Sequence, residues 1–192
     1  MFGFVLQPTK NLNWTVNSYL GQEHPDFRFV INGPPNLPTL QGMPFEPIVN
    51  PPNGKLHIFD TYATWNATNR WTVAGEADYV IERFLSTSEP DHTEGGAGYL
   101  RYQLTSKLAL AARGEYLADF GGLYTGKPQA LKEVTATFEY RLPGGFLMRD
   151  EWRQDWSNQP CFLTSTLGVL KKSQNTATAG LLWWFGAKEG AW

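Results

Sequence analysis

Apolar and polar residues alternate with a period of two along most of the chain, in segments of about ten residues. Between Lys107 and Phe120, the residues Leu108, Leu110, Ala112, Gly114, Tyr116 and Ala118 share one phase. Ala109, Ala111, Arg113, Glu115, Leu117 and Asp119 share the other. A strand with one greasy and one charged face lies between two unlike media. The alternation recurs around Leu12 to Leu20, Phe59 to Trp65, Trp71 to Glu82, Gly98 to Leu104, Glu133 to Leu142, Phe146 to Trp156 and Thr176 to Phe185. That makes eight full strands, with Phe2 to Gln7 reading as the end of a further one, too short to cross a membrane.

Two kinds of connection alternate between these segments. Tight turns rich in Pro, Asn, Ser and Gly fall near Pro8 to Asn11, Asn66 to Arg70, Thr105 to Lys107 and Pro143 to Gly145. Asn66, Leu104 and Leu142 are 38 residues apart, so one hairpin unit repeats. Longer polar loops fall at Glu23 to Lys55, Leu85 to His92, Gly121 to Pro128 and Asn158 to Ser173. The first holds eight of the thirteen prolines, too rigid and too poor in N–H donors for a sheet. Residues 1–192 thus read as one β-barrel domain carrying a long Pro-rich extracellular loop, 23–55, that is long enough to narrow a pore. Short turns at one end and long loops at the other are the asymmetry of an outer-membrane barrel.

The expected fold is therefore all-β, an antiparallel transmembrane β-barrel. Alternation by itself does not say which face is inside, and a soluble or periplasmic barrel binding a small apolar ligand puts its greasy face inward. Aromatic residues favour the inverted arrangement. Trp65, Trp71, Tyr102, Tyr140, Phe146, Trp183 and Phe185 on the turn side, and Tyr79, Tyr116, Trp152 and Trp156 on the loop side, form two expected belts. Small residues such as Gly75, Ala112 and Ala136 lie between them. Asp150 is out of character, because it falls in phase with Met148 and Trp152 on the lipid side. A bulge turning it inward is one escape.

Composition narrows the classes. Aromatics reach 15% of the chain and charged residues only 18%, and no apolar run approaches the length of a transmembrane helix. The net charge of -2 without a basic block argues against nucleic acid as a partner. A single cysteine, Cys161, excludes a disulfide framework and any cysteine-based metal cluster. His24, His57 and His92 have neither a nucleophile motif nor ligand spacing, so no catalytic residue, metal or cofactor is expected.

The stretch 98–116, Gly-Tyr-Leu-Arg-Tyr-Gln-Leu-Thr-Ser-Lys-Leu-Ala-Leu-Ala-Ala-Arg-Gly-Glu-Tyr, carries a resemblance. So do Leu-Lys-Glu-Val-Thr-Ala-Thr-Phe-Glu-Tyr-Arg-Leu at 131–142, Glu-Trp-Arg-Gln-Asp-Trp-Ser-Asn at 151–158 and Gly-Leu-Leu-Trp-Trp-Phe-Gly at 180–186. From Gly95 to Trp192 the chain resembles the C-terminal half of the β-barrel porin-2 family of bacterial outer-membrane proteins; residues 8–23 and 56–84 are similar more loosely. The resemblance implies a porin-like barrel but no particular solute. Members of that family are longer and begin with a signal peptide, which this sequence does not show. The expectation is a C-terminal piece of a larger barrel, with a self-contained eight-stranded barrel as the alternative.

On this reading the polar phase lines a pore. It carries Arg101, Arg113, Arg141, Arg149 and Arg153 against Asp60, Glu76, Asp78, Glu82, Glu115, Asp119, Glu133, Glu139, Glu151 and Asp155. Five cations against ten acids leave -5, so passive diffusion of small hydrophilic solutes or ions with a weak cation preference is expected. The other expected partners are the lipid bilayer and, through the alternating Leu181, Trp183 and Phe185, the outer-membrane barrel-assembly machinery.

Overall fold

The computed structural model describes residues 1–24, 27–29, 45–47, 54–83 and 89–185, with backbone only for 22–24, 27–29, 45–47 and 54. In chain order the strands are β1 (Phe2–Thr9), β2 (Leu12–His24), β3 (Phe27–Phe29), β4 (Phe45–Pro47), β5 (Gly54–Asn66), β6 (Trp71–Glu82) and β7 (Asp91–Gln103). They continue with β8 (Leu108–Asp119), β9 (Gln129–Leu142), β10 (Phe146–Ser157), β11 (Phe162–Leu163), β12 (Leu170–Lys171) and β13 (Ser173–Trp183). Nine of them form one antiparallel sheet in the order β1-β2-β5-β6-β7-β8-β9-β10-β13, so each long strand pairs with its neighbour in sequence. β1 and β13 are the two edges, and the sheet is open between them. Two small ribbons, β3 with β4 and β11 with β12, sit inside loop-side connections.

Most strands run 11 to 14 residues. At a rise of about 3.4 Å per residue and a tilt of about 40°, such a strand climbs roughly 30 Å, enough for a hydrocarbon layer. The register is uninterrupted from β5 to β13, and among the described residues the only irregularities fall between Leu6 and Thr9 and between Gln22 and His24. With no slip, every strand keeps its apolar phase on the same side.

The short turns are held by local chemistry. Thr68 Oγ1 accepts from the amides of Arg70 (3.1 Å) and Trp71 (3.0 Å). Thr105 Oγ1 does the same for Lys107 (3.2 Å) and Leu108 (3.0 Å), so two hairpins of the repeat close with one device. The third, Pro143–Gly145, is a 3₁₀ turn with Gly144 and Gly145 at φ of 78° and 81°. There the carbonyl of Gly145 also accepts the amide of Trp184 at 2.8 Å.

The predicted stub proves to be a full partner of β2, although only eight residues long. β7 begins at Asp91, seven residues before its predicted start at Gly98. In the Pro-rich segment β2 runs on to His24, β5 starts at Gly54, and β3 pairs with β4. The remainder of that segment, and any narrowing of a pore by it, lies outside the described residues.

Both glycines of the third turn have left-handed φ, but only at Gly145 would a Cβ meet backbone, the Trp184 carbonyl at 2.5 Å; at Gly144 the nearest atom is a Phe146 ring carbon at 3.6 Å. Gly145→Ala is therefore expected to destabilise more than Gly144→Ala, which costs about 1–2 kcal/mol of backbone strain alone. Urea unfolding from lipid vesicles measures the difference.

Candidate functional site: the polar face of the sheet

Cross-strand partners share a face, so the register places each side chain. Asp60 lies opposite Asp78, Glu76 opposite Tyr62 and Ala97, and Glu82 opposite Leu56 and Asp91. Arg101 faces Thr72 and Ala111, Arg113 faces Tyr99 and Thr135, and Glu115 faces Ala97 and Glu133. Glu139 pairs with Ala109 and Arg149, Arg141 with Leu147, Glu151 with Thr137 and Thr178, Arg153 with Thr135 and Thr176, and Asp155 with Glu133 and Gln174. Asp119 lies opposite Thr93 and Gln129. All fifteen predicted polar-phase residues fall on one face.

Trp65, Trp71, Tyr79, Tyr102, Tyr116, Tyr140, Phe146, Trp152, Trp156 and Trp183 fall on the other, and Phe185 follows two residues beyond Trp183. Ring contacts gather at the two ends of that face. Trp71 with Tyr102 (4.3 Å), and Phe146 with Trp183 (5.7 Å) and onward to Phe185, mark the turn side. Tyr79, His92 and Phe120 contact in series on the loop side. Trp152 lies mid-strand, opposite Ala136 and Ala177.

Exposure is inverted relative to a soluble protein. Leu110, Trp152 and Trp183 are 44%, 48% and 59% exposed, whereas Glu133, Glu139 and Asp155 are 5%, 8% and 5%. Leu110, Phe138 and Trp183 do not converge on a dry centre.

The polar side chains form a lattice. Glu139 holds two arginines at once: Arg149 Nη2 at 2.5 Å and Nε at 3.1 Å on Oε1, and Arg101 Nη2 at 3.1 Å and Nε at 3.2 Å on Oε2. Arg101 reaches it across β8, over the small side chain of Ala109, which is fully covered. Arg113 is ion-paired with Glu133 and more loosely with Glu115 at 3.8 Å. Arg153 donates to Asp155 at 2.8 Å, and Gln174 to the other oxygen of that carboxylate at 3.1 Å.

Asp119 does something sequence patterning does not reveal. Only 1% exposed, it accepts the backbone amides of Leu123 (2.8 Å), Tyr124 (3.0 Å) and Thr125 (2.8 Å) and the hydroxyls of Thr93 and Thr125. It thereby folds the 120–128 connection back onto the strand end. The signal was available in Asp-Phe-Gly-Gly-Leu-Tyr-Thr-Gly, an acid before a glycine-rich turn.

Asp150 stays in phase on the apolar face, opposite Phe138 and Ala179 in an unbroken register, so the bulge that would turn it inward is not there. His57 and Asp60 lie on opposite faces, His57 opposite Leu20 and Ile81.

The family described as "Putative beta-barrel porin-2, OmpL-like" matches residues 1–185, well beyond the four segments that carry the resemblance. The chain belongs to this family. A porin-2 assignment accounts for the all-β architecture, the exposed aromatic face and the buried ionic one, and it gives the protein a porin-like role in the outer membrane. No curated protein and no solved structure matches the chain.

Removing the Glu139 carboxylate leaves two guanidinium groups without their shared partner, so Glu139→Ala is expected to cost about 2–3 kcal/mol. Glu115→Ala, at a loose and more exposed pair, costs less than about 0.5 kcal/mol. Asp150→Leu is expected to stabilise the lipid-inserted protein by about 1–2 kcal/mol, because an acid facing acyl chains is penalised. Equilibrium unfolding from vesicles ranks all three.

Proposed function

We propose that the polar face lines a water-filled passage through which small hydrophilic solutes and ions diffuse, with a weak preference for cations. The supporting observation is that the charges are unevenly compensated. Arg101, Arg113, Arg149 and Arg153 are each tied to a carboxylate. Asp60, Glu76 and Asp78, on β5 and β6, meet no cation among the described residues. Asp60 instead accepts the Asn17 amide at 2.7 Å, Glu76 the Tyr99 hydroxyl at 2.7 Å, and Asp78 stands across from Asp60. Uncompensated carboxylates on a wet wall attract cations and repel anions.

The same reading takes residues 1–192 as one barrel domain whose long connections, the Pro-rich 23–55 segment first among them, face the outside. It puts the ring-edged face against lipid and assigns no residue a catalytic role. β13 is an edge strand with Leu181 and Trp183 exposed on the lipid phase, which supports it as the strand that the barrel-assembly machinery engages by edge pairing.

Reversal potentials across planar bilayers in a KCl gradient test the proposal. The wild-type protein is expected to favour K⁺, and Asp60→Asn with Asp78→Asn to lower the K⁺/Cl⁻ permeability ratio about twofold. Anion selectivity in the wild-type protein would end the charge argument.

A further inference from the structure

The polar face changes character at its turn-side corner. In the next row up, Glu139 pairs with Arg149. The last row reads Arg141, Leu147 and Leu182 across β9, β10 and β13, and Trp184 follows two positions after Leu182. Leu182 and Trp184 are 46% and 47% exposed, on a side whose other exposed positions are mostly polar or small. Trp184 is held in place by its amide hydrogen bond to Gly145. Arg141, Leu147, Leu182 and Trp184 share with Phe146 and Trp183 of the apolar face the walls of a pocket of about 370 Å³ at the turn-side rim, within the size range of small-molecule sites.

Arg141 also differs from the other four arginines. Its amide donates to the Lys107 carbonyl, but no carboxylate pairs with its guanidinium among the described residues. The closest acid on its own strand, Glu139, already holds Arg101 and Arg149. A guanidinium with no carboxylate partner among the described residues, beside the half-buried Leu147, the exposed Leu182 and an indole, presents two complementary needs: an anion of planar, two-oxygen geometry, and apolar area to cover.

We propose that this corner is a binding site for small amphipathic carboxylates, with the carboxylate on Arg141 and the apolar body against Leu147, Leu182 and Trp184. A simple anion leaves the leucines wet, and a neutral apolar molecule leaves the guanidinium unmatched. Both parts are therefore needed. The site makes no demand on conduction, so it stands or falls separately from the pore.

Saturation-transfer NMR on the refolded chain in non-ionic detergent, with empty micelles as the blank, tests it using benzoate, benzamide and acetate. Benzoate is expected to bind, and benzamide and acetate each at least about tenfold more weakly, since each lacks one half of the match. Arg141→Gln is expected to weaken benzoate about tenfold, with Arg141→Lys in between, and the distant Lys171→Gln to leave it unchanged. Equal binding of benzoate and benzamide would reduce the pocket to a greasy patch. Equal binding of benzoate and acetate would reduce it to a non-specific cation. Either result overturns the proposal, as does benzoate binding that Arg141→Gln does not weaken. The ligand series on the wild-type chain decides the matter even if Arg141→Gln fails to refold.

Discussion

Hydrocarbon offers no partner to a peptide group, so every strand that enters it must bring its hydrogen bonds with it. The long antiparallel ladder meets that demand by pairing each interior strand on both sides, with unbroken register from β5 to β13. Regular pairing has a second effect, because side chains alternate with a period of two. A slip of one residue would move Arg113 and Glu133 to the apolar face and Leu110 and Phe138 to the polar one. Backbone satisfaction and side-chain sorting are thus one constraint, and the two irregularities fall where it is relaxed: beside the first turn and at the loop end of β2.

The two faces are stabilised in different ways. On the apolar face there is little burial against other side chains, and the aromatic residues contact one another at the ends. On the polar face, cohesion comes from ion pairs that span strands, and Glu139 links β7, β9 and β10 through two guanidiniums. These pairs are partly shielded, so their geometry matters more than that of ordinary surface pairs. Where the lattice runs out of cations, on β5 and β6, Asp60, Glu76 and Asp78 stand without a cationic partner among the described residues. Where it runs out of acids, at Arg141, an apolar corner takes over.

Much of this was legible in the residues. Face assignment needed only phase, and the register agrees with it for residues as distant as Asp60 and Asp155. Turn positions followed from Pro, Asn, Ser and Gly, whose preferences are local and therefore readable, although the Thr68 and Thr105 hydroxyls that close two of them were not read. Long-range economy was not readable. The acid-before-glycine pattern at Asp119 marks a turn but not the three loop amides that its carboxylate gathers, nor does Arg141 advertise that its neighbours across two strands are leucines. Asp150 was correctly phased, and the structure supplies no compensating rotation.

The number of strands in the sheet has its own consequence. With nine strands alternating up and down, the first and last point the same way. A seam made by zipping β1 directly to β13 would be parallel, with slanted and slightly weaker bonds. An antiparallel seam requires an odd number of further strands, whichever polypeptide contributes them. Parity alone therefore sorts the ways in which this wall can become a cylinder.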